Sequence, residues 1–252
     1  MLTQNEALNE LQERAETRKL YIEYGDVFDI SRPPSLENRG VYPWQQQFHN
    51  AGADHAERLL IAANRVGKTQ SAAAETAMHA TGIYPAWFRG RRFTAPTMGW
   101  TGAESNELSR DVVQLALLGV EGKHGTGWIP KERIIAVKRR QSGIGGVVDH
   151  IQVRHKTGGM STIILKTYEQ GPEKWVGAKL DFVWLDEEAP MNIYTEALTR
   201  TLDRRGIVYT TFTPLNGQTE LVLHFSRGGD GIYMQNVTWD EAYHLDEDAK
   251  KH

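Results

Sequence analysis

The sequence predicts an α/β fold: a mostly parallel sheet flanked by helices, with an antiparallel hairpin added to it. Three stretches predict this. Residues 59–63 are apolar and run into Asn64-Arg65-Val66-Gly67-Lys68-Thr69, and the alanine-rich stretch 71–80 follows. That is the order strand, tight loop, helix. Phe182-Val183-Trp184-Leu185 is a fully apolar run that ends in Asp186-Glu187-Glu188, as a buried parallel strand does when it delivers polar groups at its C-terminal end. Between them, Ile151 and Val153 alternate with Gln152 and Arg154, and Thr157-Gly158-Gly159 has the composition of a hairpin turn.

Bulk properties narrow the function classes. A chain of 252 residues suits one large domain, or one domain with a small appendage. Its composition, 40% apolar and 24% charged, is that of an ordinary globular protein. A net charge of −3 argues against a protein that coats nucleic acid, so any DNA contact must be local. The absence of cysteine rules out disulfides and thiolate metal sites and fits a reducing cytosol. No segment approaches the roughly 18–20 apolar residues that span a bilayer. The first residues, Met1-Leu2-Thr3-Gln4-Asn5-Glu6, are polar and unlike a secretory signal.

Taken in order, residues 1–40 read as an N-terminal helix and a connecting loop. Leu8, Leu11 and Ala15 give 2–23 a partly amphipathic pattern, and Ser31-Arg32-Pro33-Pro34-Ser35 breaks it. Tyr42-Pro43-Trp44-Gln45-Gln46-Gln47 follows. A glutamine just upstream of a phosphate loop reads adenine through its paired amide donor and acceptor. Gln45 is the choice because it lies nearest the proline, with Trp44 covering the base or walling the pocket. The alternative is a solvated glutamine run at a helix start.

In the phosphate loop, backbone N–H groups turn inward and the next helix points its positive end at the same place. Lys68 is placed to reach the β and γ phosphates, and the Thr69 hydroxyl to hold Mg²⁺. The first glycine of the usual G-x-x-x-x-G-K-[ST] pattern is replaced by Ala62. A left-handed alanine costs roughly 1–2 kcal/mol, so Ala62 is expected at negative φ and Gly67 at the close approach to phosphate.

Beyond the loop, Trp87-Phe88-Arg89-Gly90-Arg91-Arg92 mixes aromatic and basic residues and reads as a solvated turn, with DNA or subunit contact as the alternative. Residues 93–95 read as a short strand, 103–118 as a helix, and 119–127 as a glycine-studded loop. Strands are expected over 134–138, 147–155 and 161–167. Lys138, Arg139, Arg140, Arg154, His155 and Lys156 sit at strand ends as solvated charges.

Asp186 is a candidate for Mg²⁺ and Glu187 for polarising an attacking water. Glu188 is the rival base. Alternation along a strand keeps Asp186 and Glu188 on one side, which favours Glu187 as the residue beside the metal ligand. A helix over 192–203 and a strand over 207–212 lead into Thr213-Pro214, where a hydroxyl can sense the γ phosphate. A last strand covers 232–237, and 240–252 is charged.

With these motifs in this order, the sequence resembles the ATPase domain of a tailed-bacteriophage terminase large subunit, the DNA-packaging motor. The residues that carry the resemblance are Gln45, the Walker A run from Asn64 to Thr69, the Walker B strand ending in Asp186-Glu187, and Thr211-Phe212-Thr213-Pro214 as coupling motif. It covers most of residues 40–240. It implies a P-loop NTPase of the ASCE, RecA-like kind over 41–240, with ATP and Mg²⁺ as ligands. Gln45, Asn64, Arg65, Val66, Gly67, Lys68, Thr69 and Thr213 are then the nucleotide contacts, and Thr69 and Asp186 the metal ligands. Catalysis falls to Glu187, Lys68 and Arg65. An arginine within Walker A is common in that family, and Arg65 matches it. Arg200 is the candidate for an arginine supplied in trans by a neighbour, a device that contributes roughly 10³–10⁵-fold to rate.

The resemblance further implies viral double-stranded DNA, the portal protein of the procapsid and the small terminase subunit as partners. It implies a homo-oligomeric ring, a pentamer, when assembled, a monomer in isolation, and the host cytoplasm as location. The family's large subunit also carries a nuclease domain of the RNase H type. Residues 241–252 read as a charged tail toward such a domain, and Asp246, Glu247 and Asp248 have no apolar strand to mount them, so no nuclease activity is expected here. Two other readings are a helicase-like P-loop motor and a nucleotide-switched binding module. Ala189 stands where a DEAD-type helicase carries histidine or aspartate, and Lys68 with Glu187 argues for turnover over mere switching.

Overall fold

The computed structural model describes residues 24–245 apart from 36, 39, 142, 143, 215 and 216. The helix expected over 2–23 and the acidic residues 246–248 lie outside the described residues. Eight strands form one sheet: β1 (Glu57–Ala62), β2 (Met98–Ala103), β3 (Ile134–Arg139), β4 (Val148–Arg154), β5 (Met160–Thr167), β6 (Phe182–Asp186), β7 (Ile207–Phe212) and β8 (Ile232–Val237), in the order β3-β4-β5-β2-β6-β7-β1-β8. From β5 to β8 every neighbouring pair is parallel. β3 and β4 join antiparallel at one edge, through the turn expected at 157–159.

Burial explains the two styles of strand. β6 and β7 are buried at every position, because helices cover both faces of the parallel part. β5 alternates buried and half-exposed positions, the signature of a strand with one wet face. One face is covered by α1 (Pro43–Ala51), α2 (Lys68–Thr81) and a helical run over 106–118, α3, whose middle, Ser109–Gln114, is π-helical. The other is covered by α4 (Met191–Leu202) and α5 (Glu220–Arg227). Ala72, Ala73, Ala74, Ala77 and Ala80 are wholly buried, so α2 lies close against the sheet with small side chains on every side.

Polar groups also lie under α2. Glu75 is completely buried and bonded to Arg58 (2.5 and 3.2 Å), His49 (2.7 Å) and His79 (3.2 Å). Burial alone would raise its pKa. The Arg58 charge and the bonds from both histidines outweigh burial and hold the carboxyl well below its usual range. Burial pushes His79 down, against the pull of Glu75.

Three expectations need correction. The strand placed at 93–95 is Met98–Ala103 instead. Its sequence, Met-Gly-Trp-Thr-Gly-Ala, has poor strand propensity, yet its glycines are required: a Cβ at Gly99 would meet the Phe182 ring at 2.2 Å. His155, expected among solvated charges, is buried and bonds Thr157 at 2.8 Å. Finally, 239–245 is packed rather than a loose charged stretch: Ala242 is fully buried and Tyr243 stacks on Phe28 at 5.2 Å. Among the described residues no helix is long and apolar enough to cross a membrane.

Candidate active site

The site forms at the C-terminal ends of β1, β6 and β7. β1 ends at Ala62, in extended backbone as expected, and α2 begins at Lys68. Two residues of the intervening turn have positive φ, Arg65 at 65° and Gly67 at 100°. Glycine takes that conformation freely, whereas arginine does so at a cost of roughly 1–2 kcal/mol. The turn directs the unpaired N–H groups of a 14-residue helix toward one point, a ready anion site.

Side chains distant in sequence converge there. Lys68 is buried, donates from Nζ to Thr213 Oγ1 (2.8 Å) and lies 3.9 Å from Glu187 Oε1. The Thr213 hydroxyl in turn reaches Ala62 O (3.0 Å) and Asn64 Oδ1 (2.9 Å). Thr69 Oγ1 lies 3.2 and 3.4 Å from the Asp186 carboxylate oxygens. Thr211 donates to Asp186 Oδ1 (2.9 Å) and accepts the Trp184 indole N–H (3.1 Å). The register that pairs Asp186 with Thr211 puts this hydroxyl there.

Burial, and next the Glu187 charge, push Asp186 up to about 7, against the hydroxyl bonds from Thr211 and Thr69 and the Lys68 charge. A buried carboxylate raised in this way favours a divalent cation as partner. One carboxylate and one hydroxyl oxygen, those of Asp186 and Thr69, form the sparse hard-oxygen set that suits Mg²⁺, which keeps several of its waters. Among the described residues no cluster of three or more histidine or acidic side chains could hold a metal unaided.

Glu187 and Glu188 are separated by a turn rather than by strand alternation. β6 stops at Asp186, and Glu187 takes a left-handed conformation, φ 61°. Its N–H bonds Thr211 O at 2.9 Å, and its side chain faces Lys68. Glu188 points elsewhere, its carboxylate accepting the hydroxyl of Thr219, the N-cap of α5.

Gln45 is buried at the start of α1. Its Oε1 accepts the Tyr42 N–H at 2.9 Å, and Nε2 faces Gly67, 3.7 Å from where a Cβ would sit. The amide oxygen is thus engaged in holding its own helix. Beside it opens a cavity of about 570 Å³ bordered also by Asn38, Tyr42, Val66, Trp128 and His244. Trp44 is not part of this wall: it is core, with its indole donating to Glu241 O at 3.2 Å. The cavity's aromatic lining includes Trp128 and the pair Tyr42 and His244, stacked at 5.9 Å.

Arg200 is not brought to this site. It sits in the last turn of α4, its carbonyl accepts the Leu180 N–H at the entry to β6, and its guanidinium bonds Glu196 at 3.3 Å. That is the opposite, N-terminal end of the parallel strands. Three contacts escaped sequence reasoning. Tyr168 places its hydroxyl on the backbone carbonyls of Asp186 (2.9 Å) and Glu187 (3.2 Å). The Trp239 indole N–H donates to Asn64 O (2.9 Å), and His244 Nε2 bonds Arg65 O (2.9 Å). Aromatic residues inside an otherwise charged stretch were the available signal for Trp239 and His244.

The family profile described as "Terminase large subunit, T4likevirus-type, N-terminal" matches residues 59–251. The chain belongs to the terminase large-subunit family. The large terminase subunit of Salmonella phage P22 is 36% identical over 231 residues, covering 83% of this chain and 46% of that protein. This terminase chain therefore spans about half the length of the curated relative it matches. Among solved structures, the large terminase ATPase domain of Thermus phage P74-26, in a mutant form, is similar with a TM-score of 0.54 and 20% identity, covering 83% of this chain and 88% of that one. A large terminase of a thermophilic bacteriophage, solved in complex with ADP, gives a TM-score of 0.57 at 14% identity, over 78% of this chain and 44% of that one. The fold is that of the terminase ATPase domains, a P-loop fold, here with β1 and β6 on either side of β7.

Proposed function

We propose that this terminase chain is an ATP hydrolase, the motor part of a large subunit that drives viral double-stranded DNA into a procapsid. The observation that carries the reading is the meeting of Lys68 with Glu187, and of Thr69 with Asp186. Lys68 and the inward N–H groups of the 63–69 turn bind the β and γ phosphates, with Asn64, Val66 and Gly67 supplying backbone. Arg65, exposed on the turn, contacts the γ phosphate in cis. Gln45 donates to adenine from Nε2 in the cavity beside Gly67. Thr69 and Asp186 hold Mg²⁺, which when bound neutralises charge on the β and γ phosphates.

Glu187 orients a water and takes its proton as the water oxygen bonds to the γ phosphorus. The bond from phosphorus to the β–γ bridging oxygen breaks, and ADP and phosphate leave. Phosphates that recruit Lys68 release Thr213 from it. The change passes into the connection from β7 to α5, whose far end, Thr219, is held by Glu188. That route couples hydrolysis to movement. The host cytoplasm, the portal protein, the small terminase subunit and a homo-oligomeric ring are the matching setting, with an arginine from a neighbouring subunit completing each site.

Phosphate release from the purified chain tests the reading. Slow but Mg²⁺-dependent release is expected, lost at least a hundredfold in Glu187→Gln with nucleotide binding retained. Equal rates in the two proteins would overturn the base assignment. Nucleotide binding with no release from wild type would leave a switch in place of a motor.

A further inference from the structure

Glu187 can serve a water beside the γ phosphate only while its backbone keeps the turn that aims it at Lys68. That turn is left-handed, φ 61°, a region L side chains rarely occupy. The fold must therefore hold it from outside. On one side the Glu187 N–H is tied to Thr211 O at 2.9 Å. On the other, the Tyr168 hydroxyl offers its single proton to Asp186 O (2.9 Å) and Glu187 O (3.2 Å).

The surroundings of Tyr168 are built for this contact. Tyr168 follows β5 directly, in a short 3₁₀ turn, Tyr168–Gln170, and is buried. Its ring packs on Trp175 with centroids 6.0 Å apart. Gly102 on β2 provides the room: a Cβ there would lie 2.8 Å from Tyr168, 2.6 Å from Trp175 and 2.8 Å from Leu185.

We infer that Tyr168 is a positioning residue for ATP hydrolysis, its hydroxyl pinning the Asp186–Glu187 turn so that the Glu187 carboxylate faces the attacking water. The inference rests on the ATPase reading above. It differs from simple satisfaction of two buried carbonyls, because a structural role alone changes stability and leaves turnover per folded molecule untouched.

The test compares wild type, Tyr168→Phe, Glu187→Gln and the double variant by single-turnover ATP hydrolysis, Mg·ADP affinity and thermal melting. Tyr168→Phe removes one oxygen and keeps the ring. Expected is a fall in the hydrolysis rate of about tenfold, with KM and Mg·ADP affinity within about twofold, and no further loss when Glu187→Gln is already present. Unchanged turnover in Tyr168→Phe overturns the inference while leaving the ATPase reading intact. So does an additive loss in the double variant. Collapse of the fold on loss of the hydroxyl alone would assign it to stability and overturn positioning. Absence of hydrolysis by wild type would sink the ATPase reading itself, and this inference with it.

Discussion

At the residue scale, the phosphate loop uses two left-handed residues for opposite reasons. Gly67 at φ 100° combines a free conformation with the absence of a side chain facing Gln45. Gly67→Ala imposes roughly 1–2 kcal/mol of backbone cost on the loop, and a drop in nucleotide affinity of about tenfold is expected by titration. Arg65 already bears that cost at φ 65°, which is understandable if its charge is used. Arg65→Gly should therefore raise the melting temperature while lowering kcat for ATP, and thermal melts with turnover assays on one preparation check both signs. The sequence pointed to Gly67 and Lys68 by pattern, but not to the conformation of Arg65. Nothing in its chemistry or neighbours marks a non-glycine residue as left-handed. Glu187 was equally opaque. Its pairing with the strand before it suggested alternation, whereas the chain turns away at that residue.

At the scale of elements, α1, β1 and α2 are fastened through one buried charge cluster: His49, Arg58, Glu75 and His79. Removing one partner from such a cluster leaves a buried charge uncompensated. Glu75→Gln is expected to cost roughly 3–5 kcal/mol in denaturant unfolding, although Glu75 lies outside the site. His79 sets a pH dependence of its own. Its folded pKa lies below the unfolded value, so the unfolded chain binds the proton first. Its contribution to stability is present above about pH 6.5 and lost as pH falls below that. The drop in unfolding midpoint between pH 7 and pH 5 should be smaller in His79→Gln than in wild type. Elements built from long apolar or alternating runs, such as β4, β5, β6 and β7, were legible because period and burial agree. β2 was misplaced because two glycines hide a strand that other side chains need to pack against. α5 was missed since its eight residues offer barely two turns of pattern.

At the scale of the whole molecule, the Lys68–Glu187 site and Arg200 lie at opposite ends of the parallel strands, with Leu180 and Asp186 at the two ends of the β6 segment. An arginine so placed lies away from its own chain's Lys68 and Asp186. It is available to another copy only after leaving Glu196. Specific ATPase activity should accordingly rise with protein concentration, and Arg200→Ala should flatten that rise; a flat wild-type curve would remove the need for a neighbour. The approach of Lys68 and Thr69 to Asp186 and Glu187 was legible in the sequence, from the order of the two stretches that carry them. The packing of 239–245 on the phosphate loop was not, because charge composition masked three ring-bearing side chains. Trp239 is 40% exposed, yet its indole N–H is anchored on the Asn64 carbonyl. The terminase chain thus carries its own optical gauge, a fluorophore half in water and half fastened to the turn proposed to receive nucleotide. Its emission should shift in colour on nucleotide binding without any attached dye, and Trp239→Phe should remove its share of the signal, leaving that of Trp128, which borders the cavity beside Gln45.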